Sequence, residues 1–262
     1  VSAARGERLD APLTRAARFV AQQAGELERI YCETLLRALP APALQAALGQ
    51  RQREDGALAP WRPADAGPEA AARRALAWLH ALRLCDNPLA ERAVRFLAEQ
   101  QASDGGWGSP ALPASLRVGV SGETAGLLAR TPFARQSLLA RAEAFLARAY
   151  SPDLLQSGEY APLLAYAHAL TSLDSELADE ALVWCGRELE KGWRGARFTT
   201  LQVARAMLRA RVRALPGAQI DAEELVTSLL AAQERDGGWP TEPGADRVDA
   251  TLESVEALLR LA

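Results

Sequence analysis

Apolar residues recur at spacings of three and four along almost the whole chain. In AERAVRFLAEQQ, residues 90–101, Ala93, Phe96, Leu97 and Gln100 share one side of a helix. In DATLESVEALLRLA, residues 249–262, Leu252, Val255, Leu258 and Leu259 do the same. This is the period of an amphipathic helix, and the two-residue alternation that marks a strand is nearly absent, so the chain is expected to be all-α. Two sets of helices are predicted. One starts after proline or a polar cap and runs into a Gln/Asp/Gly loop: 11–24, 42–54, 88–101, 136–149, 177–190 and 221–233. The other follows each loop: 26–39, 67–84, 117–130, 160–171, 197–213 and 248–261. Paired, they form a repeat of helical hairpins at a period of roughly 40–50 residues, with a shorter first pair.

Six such hairpins can close into an (α/α)6 toroid, a single domain over 1–262 with the second helices inside and the first outside. An open solenoid needs polar caps at both ends, whereas the last helix here runs out in apolar ALLRLA. Between the helices one loop is written repeatedly. QASDGGWG at 101–108 and QERDGGWP at 233–240 share Gln-x-x-Asp-Gly-Gly-Trp, and QREDGALAPW at 52–61 and KGWRG at 191–195 are looser versions. The glycines permit positive φ and close backbone approach. The Asp can accept from free N–H groups of the turn, the Trp can cover it, and the Gln can bind loop carbonyls or the next helix. The loops are therefore expected to be structural clamps between hairpins; a direct catalytic role for Asp104 or Asp236 is the other reading.

FLAEQQASDGGWG and LLAAQERDGGWP resemble the QW motif of the squalene–hopene and oxidosqualene cyclases, a repeat shared more loosely with protein prenyltransferase β subunits. The resemblance implies the (α/α)6 toroid over essentially the whole chain and a small apolar or prenylated substrate. In those cyclases an Asp-x-Asp-Asp-Thr segment opens an inner helix, and its middle Asp protonates an alkene or epoxide. An alkene is a very weak base, so such an acid must stay protonated in a pocket without water. Aligned on Thr251, DRVDAT places Asp249 at the middle Asp, Arg247 at the first and Ala250 at the last. An arginine beside Asp249 would favour its charged form, which suits an anion-binding pair or a helix N-cap better than an alkene-protonating acid. Aligned on Thr124, SGETAG places Glu123 at the last Asp and Gly122 at the middle one. Glu123 is then a second acid or base, or a first-turn glutamate facing the helix dipole.

The prenyltransferase β subunits hold zinc through Asp, Cys and His. Here the only histidines are His80 and His168, and DEALVWC offers Asp179 and Cys185 with no histidine after them. A catalytic zinc normally needs three convergent protein ligands, and no DDxxD-type cluster exists for magnesium; no metal and no cofactor are expected. KGWRGARFTT gathers Lys191, Arg194 and Arg197 at a helix entrance. That is a place for a phosphate or carboxylate, or a solvated basic loop. GEYAPLLAYAHAL puts Tyr160, Tyr166 and His168 on one inner helix, the last two on different faces. Aromatic faces stabilise carbocations, and Tyr31, Trp78, Tyr160, Tyr166 and Phe198 are the inner-helix candidates. The expected substrate contacts are Tyr160, Tyr166, His168, Trp78, Arg194 and Arg197, around Asp249 and Glu123 as catalytic acids.

The net charge of −3 gives no reason to expect nucleic acid or an anionic membrane as partner. No apolar run is long enough to span a bilayer, and the first residues lack the apolar stretch of a signal peptide. Cys32, Cys85 and Cys185 stand far apart without a CxxC pair, as reduced core thiols of a cytoplasmic protein do. The resemblance thus implies a terpene-cyclase-like enzyme that cyclises or rearranges an apolar intermediate by acid catalysis without metal. A non-catalytic toroid binding a lipid or a protein partner is the alternative. A carbohydrate-active (α/α)6 enzyme would need two facing carboxylates and a polar groove lined by aromatics, for which the sequence offers few aromatics and no clear pair.

Overall fold

The structure, a computed structural model, describes residues 2–62, 65–241 and 246–262. Among them the chain is all-helical. In chain order the helices are α1 (Ser2–Gln23), α2 (Glu26–Leu35), α3 (Ala41–Gly49), α4 (Pro68–Ala81), α5 (Pro88–Glu99), α6 (Ala114–Ala129), α7 (Gln136–Ala149), α8 (Pro152–Gln156), α9 (Tyr160–Leu170), α10 (Ala178–Arg194), α11 (Thr200–Ala210), α12 (Ala222–Ala232) and α13 (Arg247–Leu261). The one extended pairing among the described residues is an isolated antiparallel bridge between Gln52 and Leu58. None of these helices is long and apolar enough to cross a membrane.

The helix starts follow local chemistry. Asn87 accepts from Leu89 and Ala90 N–H ahead of Pro88, Asp221 caps α12, and Thr199 with Gln202 forms a capping box on α11. Two elements depart from the expected pattern. Helix α1 begins well before residue 11 and carries Pro12 inside it. Proline there breaks one backbone bond, but Arg8 ties the preceding turn to Glu223 and Thr227 of α12. The second departure is KGWRG. Residues 191–194 are the last turn of α10, and the chain reverses only at Gly195 and Ala196 (φ 55°). That segment has the Gly and Trp of the repeated loop but not its Gln and Asp. A Cβ at Gly192 would lie 2.1 Å from the Phe198 ring, so its glycine makes room for that ring instead.

The helices group into two compact units. One combines the residues up to Arg51 with Asp221–Ala262, and the other is Gln52–Ile220. In the first, α13 packs against α1, α2 and α12. In the second, the closest pair is α6 with α9. Glycines on α6 explain the approach: a Cβ at Gly119, Gly122 or Gly126 would lie 3.1, 2.5 and 2.5 Å from Ala161, Ala165 and His168 of α9.

In three loops the same bonds recur. Gln52, Gln101 and Gln233 each donate through Nε2 to the carbonyl of their own loop's glycine four residues on, Gly56, Gly105 and Gly237, at 3.1, 2.9 and 2.9 Å. The same nitrogen also donates to a carbonyl on another helix: Leu89 of α5, Leu138 of α7 and Pro12 of α1, at 3.0, 3.1 and 2.9 Å. Each glycine has positive φ: 85°, 93° and 94°. A Cβ there would lie 2.2–2.3 Å from the carbonyl oxygen of Arg92, Arg141 or Arg15, three residues further along the helix that the glutamine grips. Asp55, Asp104 and Asp236 each accept a turn N–H two residues ahead.

The two full copies add more. Trp107 and Trp239 are buried and donate Nε1–H to Leu97 O and Leu229 O at 2.7 and 2.8 Å. The second glycines, Gly106 and Gly238, leave space for Phe145 and Phe19. On those rings sit Arg117 and Arg247, each 4.9 Å from the centroid and each bidentate to the loop aspartate.

Two glycines separate backbone strain from close approach. Gly67 also has positive φ (108°), but nothing lies within 4 Å of its would-be Cβ. Gly67→Ala is expected to cost about 1–3 kcal/mol, the strain of a backbone conformation that suits glycine alone. Gly105→Ala should cost roughly 3 kcal/mol or more, because the loop must also leave the Arg141 carbonyl. Urea midpoints of the two variants measure the difference; equal losses would show that the contact holds nothing.

Candidate functional site

Asp249 is the third residue of α13 and is partly exposed. The cap of that helix is Asp246, whose carboxylate accepts the Val248 N–H at 2.7 Å, so the N-cap reading of Asp249 is corrected. Arg247 belongs to the clamp: its guanidinium bonds Asp236 and Glu234 and covers Phe19. Those two carboxylates, Asp236 first, raise the Arg247 pKa, and Arg247 in turn holds Asp236 below the usual carboxylate range. Arg117 does the same to Asp104. Both loop aspartates are thus committed carboxylates, not proton donors.

The two full clamps also fix a register. The Trp239 N–H meets Thr251 Oγ1 at 3.2 Å, and the Trp107 N–H meets Ser121 Oγ at 2.9 Å. Ser121, not Thr124, is therefore the counterpart of Thr251, just as Arg117 is the counterpart of Arg247. On α6 the place of Asp249 is taken by Gly119, and Glu123 corresponds to Glu253. Helix α6 starts at Ala114, so Glu123 lies in its middle rather than in its first turn. Its carboxylate stands 3.3 Å from Arg73 of α4.

The expected substrate contacts are largely occupied within the fold. Tyr160 donates to Gln202 O at 2.7 Å and tilts against Phe198. Tyr166 is fully buried, donates to Leu146 O at 2.9 Å and meets Tyr150 edge-on; burial pushes its phenol well above the usual range. Trp78 is buried against Trp61, centroids 5.5 Å apart. Arg194 is the last residue of α10, exposed over Trp193 and 3.7 Å from Glu190. Arg197 is exposed beside Gly158 in the turn that follows.

His168 leads to a cluster that the sequence reading missed. It is buried at 1% exposure under Gly126, and its Nδ1 has no hydrogen-bond partner. Around it converge the C-terminal ends of α4, α6, α9 and α11. His80 of α4 bonds Leu127 O through Nε2 at 2.8 Å. A carbonyl only accepts, so that nitrogen carries the proton and Nδ1 is a bare acceptor. It receives the Cys85 thiol and an Arg211 N–H, both at 3.1 Å. Arg130, after α6, bonds Ser172 Oγ, Thr171 Oγ1 and Arg209 O. Burial, helped by Arg211, Arg130 and Arg209 and opposed by the Leu127 bond, pushes His80 down to about 4. Burial, then Arg130, Arg209, His80 and Arg211, holds His168 well below its ordinary value. Burial also pushes Cys85 up to about 11, against Arg211. Cys85 and His80 therefore form a neutral thiol–imidazole pair rather than the ion pair of a thiolate nucleophile.

The sequence carries a signal for this cluster in hindsight. The segments LHALR, LLAR, YAHAL and MLRAR each end a helix of the second set with basic residues. Cys32 and Cys185, like Cys85, are buried free thiols, and among the described residues no three His, Cys, Asp or Glu side chains are grouped to hold a metal ion.

The buried imidazoles make stability depend on pH. Their folded pKa values lie below the unfolded value near 6.5, so below that pH the unfolded chain binds more protons. Stability is expected to fall as pH drops from about 6.5 towards 4, His80 alone accounting for roughly 3 kcal/mol. Urea unfolding at intervals across that window measures the slope, and His80→Gln should flatten it; a flat wild-type profile would contradict neutral burial.

No protein-family model and no curated protein matches the chain. Among solved structures, the crystal structure of a protein from Actinoplanes is similar to it, with a TM-score of 0.59 and 16% sequence identity over 96% of this chain and 98% of that one. At that identity the likeness shows a shared all-helical fold along nearly the whole of both chains and nothing about activity.

Proposed function

We propose that the helices build a single (α/α)6 toroid and that the protein is a terpene-cyclase-like enzyme. It would cyclise or rearrange a prenyl, polyene or other apolar intermediate by acid catalysis without a metal. The observation that carries this reading is the third clamp. Gln233, in the loop before the last helix, grips Pro12 of α1 just as Gln52 and Gln101 grip α5 and α7, each one helix beyond the helix that follows the loop. A repeat whose last loop docks on its first helix is what a closed ring requires. Asp249 then opens the last second-set helix, two residues before the Thr251 hydroxyl that is tied to Trp239. Arg247 has Asp236 and Glu234 to hold it. In the reaction the Asp249 carboxylic acid gives its proton to one alkene carbon and becomes a carboxylate. The cation left on the neighbouring carbon is attacked by a second alkene, and a proton lost from the product cation restores the acid.

A second reading, a non-catalytic toroid that binds a lipid or a protein partner, is favoured by a different observation. Tyr160, Tyr166, Glu123 and Arg194 already have partners in the fold. One experiment separates the two. The protein is incubated with polyprenyl substrates of several lengths, with and without a diphosphate, beside Asp249→Asn, and products are identified by mass spectrometry. The enzyme reading expects a cyclised or rearranged product that falls at least about a hundredfold in the variant. No product from any substrate, with the variant as stable as the parent, would leave the binding reading.

A further inference from the structure

We infer that the junction of the α4, α6, α9 and α11 C-termini is a binding site for a small oxyanion, the phosphate or carboxylate group of a ligand. The guanidiniums of Arg130 and Arg211 meet there beside His80 and His168, and the charge of Arg209 bears on the same groups. The groups that act on His80, His168 and Arg130 are one another and these arginines; no carboxylate is among them. Helix C-termini account for part of this charge. Each carries about half a negative charge, so four of them offset about two of the three guanidiniums. The remainder is unmatched in a half-buried setting, where a cation without a counter-ion is disfavoured.

Hydrogen bonding points the same way. Arg130 spends three of its five N–H groups on Ser172, Thr171 and the Arg209 carbonyl, and Arg211 spends one on His80. The Arg209 guanidinium makes no hydrogen bond or ion pair among the described residues, although it lies close enough to bear on both histidines and on Arg130. The buried Nδ1 of His168 is likewise without a partner. An unspent guanidinium fork and an unpartnered imidazole nitrogen in one basic cluster are groups that an oxyanion can engage. Arg211 is exposed, so the cluster reaches solvent on its side. Neither Asp249 nor the alkene chemistry enters this assignment, so it stands whether or not the cyclase reading holds.

The test is titration with inorganic phosphate and, separately, acetate at constant ionic strength, followed by the ring signals of His80 and His168 in NMR and by the melting temperature. At least one of the two anions should shift both histidines saturably in the millimolar range and raise the melting temperature. It should also lift the His80 pKa from about 4, because an anion beside the ring favours imidazolium. The anion that acts identifies the oxyanion class. Arg209→Gln, which breaks no bond of the fold, should melt as the parent does without anion and bind about tenfold more weakly. A lack of any saturable response to either anion, or an unchanged affinity in Arg209→Gln, would overturn the site.

Discussion

A single glutamine amide nitrogen, with both of its hydrogens on carbonyl oxygens, decides how a loop meets a neighbouring helix. One bond closes the loop on itself and the other fastens it to a helix other than the two it connects, at Leu89, Leu138 or Pro12. The surrounding residues follow from that geometry. The loop carbonyl can face the amide only if its residue adopts positive φ, and the approach to the gripped helix leaves no room for a Cβ; both conditions select glycine. The aspartate satisfies the turn N–H, and the arginine that holds the aspartate lies flat on a phenylalanine of the gripped helix. The tryptophan returns its indole N–H to the helix that the loop has just left. Buried hydrogen bonds of this kind contribute about 1 kcal/mol each, but breaking one leaves a polar group stranded at a larger cost.

Where no clamp acts, glycine does a different job. Gly119, Gly122 and Gly126 let α6 lie against the alanines of α9, and the same stripe brings His168 under Gly126. Glycine inside a helix is unfavourable by up to about 1 kcal/mol each. Tight packing over the length of both helices offsets that cost. The buried imidazole is therefore a product of helix packing, and its suppressed charge follows from the same burial.

The helices were legible because their apolar spacing is regular, and the clamps because every residue in them has a separate chemical reason. The misreadings have physical causes. In KGWRG the glycine and tryptophan were present without the glutamine and aspartate that make the bonds. Helix α1 runs through Pro12, where a proline ordinarily marks a helix start, and no local rule sees that Arg8 reaches Glu223 across the unit. The Glu123 register is off by three because the alignment rests on Thr124, whereas the hydroxyl that meets the Trp107 N–H belongs to Ser121. The basic cluster escaped because its members close four different helices, and His80 and Arg211 meet only through the fold. Among the candidate residues, Asp249 was located by alignment on Thr251, whereas the hydrogen bonds that occupy Tyr160 and Tyr166 have no trace in the sequence.

The division of the chain has a consequence for how the protein is made. Gln52–Ile220 is continuous, so all of its internal partners are present once its last residue has been synthesised. The other unit is built from the two flanks of that segment, and α1 finds its partners Glu223, Thr227 and Gln233 only after α12 and the loop beyond it have emerged. The apolar face of α1, with Ala16, Phe19 and Val20 buried in the finished fold, is therefore completed only after those later segments have left the ribosome. Until then α1 has α2 beside it but not its later partners, and the growing chain carries part of an amphipathic face open to other contacts.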